Sequence, residues 1–197
     1  MRKLWLTTVL LGGLILTGCQ NQQENSASQK TSSQSTSVQS SKKSSSQSSS
    51  TRAKAISADK LFDQAIAKFK ADHPKAVITA FSWEEEYGGT QVEVEGQDQK
   101  HEYTLVFDQS GKLIRKNREL NDELNWKADA INPAKVISLK TAFAKAKTQA
   151  SGVVKSADLE NDNGTLKWEV KLSHNHQETE ISLDAQTGKV LKKEYDD

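Results

Sequence analysis

Leu166-Lys167-Trp168-Glu169-Val170-Lys171-Leu172 is the stretch that decides the fold, because apolar and charged residues alternate along it. A period of two is typical of a β-strand with one buried and one solvated face. Asn163-Gly164, just before it, is a strong signal for a tight hairpin turn. The stretch therefore predicts an antiparallel strand with Trp168 on its core side.

Other runs with strand character surround this stretch on both sides. They comprise Val77 to Trp83, Val92 to Val94, Tyr103 to Phe107, a short run around Leu113, Ala157 to Leu159, Thr179 to Leu183, and Val190-Leu191. Turn signals separate them at Gly88-Gly89, Asp108 to Gly111 and Asp184 to Lys189. The pattern predicts antiparallel meanders with one polar face.

A segment with helical periodicity precedes each group of strands. Ser57 and Ser138 are placed to cap these helices by accepting hydrogen bonds from free backbone N–H groups. The expected buried stripes are Leu61, Phe62, Ala65, Ile66 and Phe69 in the first helix, and Ala142, Phe143, Ala146 and Ala150 in the second. The first helix must end before Pro74, and the second is expected to end near Gly152.

The same order of elements thus occurs twice, which predicts an α+β fold. It consists of two tandem repeats, each one helix packed on a 3–4-stranded antiparallel sheet, after a disordered tether. The predicted segments are a signal peptide in 1–18, a lipidated Cys19 with a tether in 19–52, repeat 1 in 53–117, an inter-repeat segment in 118–135, and repeat 2 in 136–197.

Each repeat has about 60 residues, which is marginal for a domain that folds alone. The chain has one cysteine, so an intramolecular disulfide cannot help. We therefore expect the repeats to pack together or to share the inter-repeat segment. Its candidate contact residues are Leu120, Leu124, Trp126 and Ile131.

The N-terminus has the pattern of a secretory signal. Met1-Arg2-Lys3 precedes an apolar run, Leu4 to Leu16, that is too short for a stable membrane-spanning helix. Leu16-Thr17-Gly18-Cys19 resembles a bacterial lipobox, which implies cleavage before Cys19 and acylation of its thiol. We predict a protein anchored by acyl chains on the extracytoplasmic face of a bacterial membrane. The alternative is an ordinary signal peptide that contains a cysteine.

The segment from Gln20 to Arg52 is almost entirely Ser, Gln, Thr, Asn and Lys, which predicts a disordered tether. A modified Ser/Thr tract or a wall-binding segment are the alternatives. Six basic residues and one acidic residue lie before residue 53, which leaves 21 basic and 25 acidic residues beyond it. This acidic balance excludes a typical nucleic-acid partner. The long tether and the absent disulfide favour a Gram-positive envelope.

The sequence offers little for a metal, a cofactor or catalysis. The turns at Asp108 and Asp184 supply one carboxylate each, whereas Ca²⁺ needs several, so we interpret both as structural turns. His174 and His176 could be two metal ligands, but a solvated hairpin tip is the favoured interpretation. Gly-x-Ser-x-Gly, His-Glu-x-x-His and Gly-rich phosphate motifs are absent. We predict a non-enzymatic protein with no cofactor and no metal.

Acidic residues are the candidate partner contacts. They are Glu84, Glu85 and Glu86 at a strand end, and Glu93 and Glu95 on the polar side of the Val92–Val94 strand. A solvated acidic surface is the alternative interpretation. Trp83 beside them is either a core residue or a contact anchor, since tryptophan is common at binding hot spots.

The repeated pattern resembles the PepSY domain family. The first copy carries it in Ile56-Ser57, Val92-Glu93-Val94-Glu95-Gly96 and Tyr103 to Lys112. The second carries it in Ile137-Ser138, Trp168-Glu169-Val170 and Ile181 to Val190. The first copy departs in a turn that is one residue shorter, and the second has Lys171-Leu172 where the family has Glu-Gly.

PepSY domains occur in propeptides of secreted metallopeptidases and in envelope lipoproteins. The resemblance implies a membrane-anchored binding lipoprotein that restrains or regulates a peptidase or its propeptide, with no family-wide catalytic residue. The alternative is an envelope structural or sensing lipoprotein that binds a wall polymer or a small ligand. The sequence leaves the oligomeric state open.

Overall fold

The computed structural model describes residues 55–86 and 89–196. The predicted signal, the lipobox with Cys19 and the tether lie outside this range, as does Gly88 of the first predicted turn. The first half contains α1 (Ala58–Asp72), β1 (Val77–Glu86), β2 (Gly89–Gln97), β3 (His101–Asp108) and β4 (Leu113–Leu120). A 3₁₀ turn (Pro133–Lys135) precedes α2 (Leu139–Lys147), β5 (Val153–Asp162), β6 (Thr165–His174), β7 (Gln177–Asp184) and β8 (Val190–Asp196).

The predicted α+β class and the antiparallel pairing are confirmed, but the strands form one sheet. Its order is β4-β3-β2-β1-β5-β6-β7-β8, and every neighbouring pair is antiparallel. The sequence predicted a separate sheet of three to four strands in each repeat. The difference arises because β1 pairs with β5, from Ala80 opposite Glu160 to Glu84 opposite Ser156. This pairing satisfies backbone groups that two separate sheets would leave at open edges.

Both helices begin where the serines predict. Ser57 accepts a hydrogen bond from Lys60 N in α1, and Ser138 accepts one from Thr141 N in α2. Helix α1 ends at Asp72, before Pro74, and buries the five predicted side chains. Helix α2 ends at Lys147 rather than near Gly152, because Thr148 N already closes the last turn on the carbonyls of α2.

One hydrophobic core lies between the helices and one face of the sheet. Trp168 is fully buried at its centre, with Phe62 and Phe81 at ring-centroid distances of 6.1 and 5.9 Å. Its indole Nε1 also donates a hydrogen bond to Ile137 O. Trp168 belongs to β6, whereas Phe62 and Phe81 belong to α1 and β1. The two halves of the chain therefore share one core. Among the described residues, no helix is long and apolar enough to cross a membrane.

The segment between the halves makes fewer apolar contacts than predicted. Its first residues still belong to β4. Ile131 is buried, and its N–H donates to Ile78 O. Leu120 and Leu124, by contrast, are 82% and 103% exposed. Trp126 contributes through its backbone, since its carbonyl accepts a hydrogen bond from Gln97 Nε2. Of the four candidate contact residues, Ile131 and Trp126 therefore contact the rest of the fold, and the two leucines stay exposed.

Gly96 allows the end of α1 to contact β2 closely. A Cβ atom at this position would lie 2.3 Å from Val77 O and 2.4 Å from the Phe69 ring. We expect Gly96→Ala to lower the free energy of unfolding by about 1–3 kcal/mol, because neither neighbour can move cheaply. Urea denaturation measures this, with Lys155→Ala at an exposed position of β5 as a control. An unchanged unfolding midpoint for Gly96→Ala would contradict the packing.

Candidate partner-binding face

The face of the sheet opposite the helices is polar, and it contains four of the predicted contact residues. Along β2, Val92 and Val94 point into the core, whereas Glu93 and Glu95 lie on the open face. The register places Glu93 opposite Ser82 of β1, and Ser82 opposite Asp158 of β5. A row of polar side chains therefore crosses the junction between the two halves on this face.

The acidic run at the end of β1 is exposed, as predicted. Glu84 shares the open face with Glu93, because it lies two residues beyond Ser82 on the same strand. Partial burial raises the pKa of Glu84, and the charges of Glu86 and Glu93 act in the same direction. Glu86 accepts a hydrogen bond from Gln91 Nε2 at 2.6 Å. By strand alternation, Glu85 points to the opposite side, so the run does not form one patch.

Glu95 and Glu93 form the most perturbed pair on this face. Burial is the main cause that raises the pKa of Glu95 to about 8, and its hydrogen bond with Glu93 and the charges of Glu93 and Glu102 contribute to the same shift. Glu93 meanwhile accepts a hydrogen bond from Arg115 of β4 at 3.1 Å. This arrangement suits a protonated Glu95 that donates a hydrogen bond to the side-chain oxygen of Glu93.

Asp158 lies at the β1–β5 junction and was not singled out by the sequence. Ser82 Oγ donates a hydrogen bond to its carboxylate. Burial raises the pKa of Asp158 to about 6, although the Ser82 hydrogen bond opposes this shift. The alternation of Ala157 and Leu159 into the core was a signal that could have placed Asp158 on the open face. That Ser82 is its hydrogen-bond partner depends on the register between β1 and β5, which the sequence does not give.

Lys167 of β6 limits the acidic surface on one side. Its Nζ lies 2.7 Å from the carboxylate of Glu169. It is also 3.3 Å from the carboxylates of Glu160 and Asp162. Burial alone would lower the pKa of Lys167, but hydrogen bonds to these carboxylates hold it above its ordinary value. Lys167 therefore neutralises part of the open face on β5 and β6, which leaves β1 and β2 as the candidate contact strands.

Trp83 is a core residue in the structure. Only 9% of it is exposed, and its ring packs edge to face on Phe143 of α2 at 4.9 Å. From the sequence, Trp83 could be either a core residue or an anchor of a partner contact. The structure favours the core, so the candidate face consists of carboxylates without an aromatic anchor.

The two Asp turns have the predicted structural role. Asp108 accepts hydrogen bonds from the backbone of Ser110 and Lys112, and Asp184 accepts them from Gln186 and Thr187. His174 ends β6 at the hairpin before β7, beside Asn175. Within residues 55–86 and 89–196, no group of three His, Cys, Asp or Glu residues is arranged to hold a metal ion.

The chain is similar in sequence to a curated bacterial protein and in fold to a solved structure. YkoJ of Bacillus subtilis (strain 168), described as uncharacterized, is 30% identical over 113 residues. That match covers 56% of this chain and 61% of YkoJ, so the chain spans about three fifths of its relative. A crystal structure of a protein from Clostridium difficile 630, provisionally described as a lipoprotein, matches with a TM-score of 0.64 at 23% identity. It covers 68% of this chain and 92% of that one, and it shows a shared fold.

A family model matches the second half of the chain. The matched residues are 136–194, and the family is PepSY, described as the peptidase propeptide and YPEB domain. These residues run from the start of the α2 region to β8. Helix α2 and strands β5 to β8 are thus the part of this chain that matches the PepSY family model.

Proposed function

We propose that this chain is a lipid-anchored, extracytoplasmic binding protein that restrains or regulates a peptidase. The observation that carries the proposal is the PepSY match over 136–194, because that family is described by its occurrence in peptidase propeptides. The lipobox ending in Cys19 supports the anchor, and the provisional description of the Clostridium relative as a lipoprotein agrees with it.

We further propose that the first half of the chain is a second copy of the PepSY module. Several matched contacts support this. Ile56 N donates to Gln109 O in the β3–β4 turn, and Ile137 N donates to Ala185 O in the β7–β8 turn. The serine after each isoleucine caps the following helix.

The open face around Glu84, Glu86 and Glu93 is the proposed contact surface for the peptidase. These carboxylates lie on the solvent side of the sheet, on the neighbouring strands β1 and β2. Complementary charge on the partner would speed association and set orientation more than it would add affinity. A cationic rim around the partner's cleft is the chemistry that fits.

Inhibition of peptidase activity tests this function. We expect the full chain, titrated into the secreted and surface metallopeptidase activity of the source organism, to inhibit it saturably at about one copy per enzyme. Glu84→Gln with Glu86→Gln should weaken inhibition by about tenfold, because rim charges are removed. Asp63→Asn with Asp122→Asn removes the same charge elsewhere and should leave inhibition unchanged.

The opposite result would reject the proposal. If micromolar chain changes no peptidase rate and retains no peptidase on a column, the restraining function is wrong for this protein. Binding of the full chain to purified wall material would then support the envelope-binding alternative.

A further inference from the structure

The outer edge of the sheet at β8 is a second exposed surface, separate from the acidic face. Strand β8 pairs with β7, and among the described residues no other strand pairs with its outer side. An edge strand presents backbone N–H and C=O groups that can pair with another chain. The side chains of β8 from Leu191 to Tyr195 are also exposed, and they include both charged and apolar residues.

We propose that β8 pairs with β8 of a second copy of this chain, antiparallel and centred on Lys193, so that two eight-stranded sheets join into one.

Charge complementarity on the open face supports this register. Lys192 pairs with Ser182 of β7, and Glu194 pairs with Glu180, so both side chains lie on the open face. Within one chain, Lys192 Nζ lies 2.5 Å from Glu194 Oε1, and the two side chains are 61% and 46% exposed. Centring on Lys193 sets Lys192 of each copy opposite Glu194 of the other, which gives two stabilising cross-strand pairs.

Other registers are less favourable. If the register shifts by two residues in one direction, the Lys192 side chains of the two copies lie opposite each other. If it shifts by two residues in the other direction, the two Glu194 side chains lie opposite each other. Like charges directly opposite each other destabilise a strand pair. A shift of one residue would place the helices of the second copy on the opposite side of the sheet.

The other side of β8 accommodates the same pairing. The Lys193 residues of the two copies would lie opposite each other at the two-fold axis. Within each chain, however, Lys193 Nζ donates a hydrogen bond to Gln149 O, after α2, at 2.7 Å, which directs its charge away from the axis. It also lies 4.9 Å from the Tyr195 ring. Leu191 is 46% exposed and Tyr195 is 68% exposed. The register places Tyr195 beside the bulge at Leu191 of the second copy, so part of the exposed apolar area of Tyr195 becomes covered.

The chain already uses this geometry once. Strands β1 and β5 join the two halves edge to edge and antiparallel, with both helices on the same face. The opposite edge, β4, is less suited to self-pairing. Centred on Asn117, it would set Lys116 opposite Arg118. In addition, Arg115 and Lys116 already bind Glu93 and Asp72, at 3.1 and 3.6 Å.

Charge reversal tests the pairing. The contact involves about five residues from each copy, which is smaller than a standard interface. In sedimentation experiments on the full chain in density-matched detergent, we expect monomer at about 1 µM and a dimer at about 100 µM. Lys192→Glu and Glu194→Lys should each weaken the dimer by about tenfold, and the double variant should restore it. Lys60→Glu, which changes the same charge on α1, should have no effect.

A cross-link tests the register separately. Residues opposite each other in antiparallel strands have Cα atoms about 4.5–5.5 Å apart, which a disulfide can bridge. In a Cys19→Ser chain, Lys193→Cys should therefore give a disulfide-linked dimer on oxidation, and Lys60→Cys should remain monomeric. A monomer at every concentration, a double reversal that fails to restore the dimer, or an uncrosslinked Lys193→Cys would each overturn the proposal. None of these outcomes depends on peptidase binding.

Discussion

Replacing Trp168 by Ala is expected to lower the free energy of unfolding by about 3–5 kcal/mol. The side chain is fully buried, and its ring contacts Phe62 and Phe81 from the other half of the chain. The change removes those contacts, leaves a large cavity, and also removes the Nε1 hydrogen bond to Ile137 O. Because the core is shared, we expect both halves to lose stability together.

Urea denaturation followed by circular dichroism and by Trp fluorescence measures this. Coincident transitions in the variant would show that the two halves unfold as one unit. Trp126→Ala is the matched control, because Trp126 lies in the inter-repeat segment and offers its backbone carbonyl to Gln97. We expect Trp126→Ala to lower the free energy of unfolding by less than about 1 kcal/mol. Two separate transitions, or a loss confined to the second half, would contradict a shared core.

Replacing Glu95 by Gln is expected to stabilise the protein at and above pH 8. The pKa of Glu95 is about 8 in the folded chain, against an ordinary value of 4.5. Between these two values, the folded chain holds a proton that the unfolded chain has lost. The free energy of unfolding therefore falls as pH rises from about 4.5 to about 8, and then levels off. Gln keeps an N–H donor for Glu93 and cannot ionise, so it removes this decline.

Thermal or urea unfolding between pH 4 and pH 9 tests the prediction. At pH 9, Glu95→Gln should exceed the original chain in stability by more than about 1 kcal/mol. Part of the decline between pH 4 and pH 6 should remain, because the pKa of Asp158 is raised to about 6. Glu85→Gln at the exposed strand end is the control and should follow the original curve. If Glu95→Gln were less stable at pH 9, its proposed neutral state would be wrong.

The sequence predicted the elements and their faces because these depend on local periodicity. Alternation in Lys167 to Leu172 was enough to place Trp168 in the core, and the serines marked both helix starts. The pairing of β1 with β5 could not be predicted in this way. Alternation indicates which face of the sheet a side chain lies on, but it does not identify the strand that pairs with it. The predicted end of α2 near Gly152 failed because the helix closes early, at Thr148.

The candidate face was predictable only in part, for the same reason. Glu93 and Glu95 could be placed on a polar side from their alternation with Val92 and Val94. Their hydrogen bond and the Arg115 contact depend on how β2, β3 and β4 align. The burial of Trp83 depends on Phe143 from α2, about 60 residues away in the chain, so the sequence could not decide between core and contact anchor.

Photo-crosslinking in cells of the source organism tests the central claim most directly. A photoreactive amino acid at Glu84 would lie on the open face, and one at Lys147 would lie on α2, on the opposite face of the sheet. The account predicts an adduct from the Glu84 position that mass spectrometry identifies as a peptidase or its propeptide, and little or none from Lys147. Adducts with peptidases from Lys147 alone, or with no peptidase at either position, would contradict it.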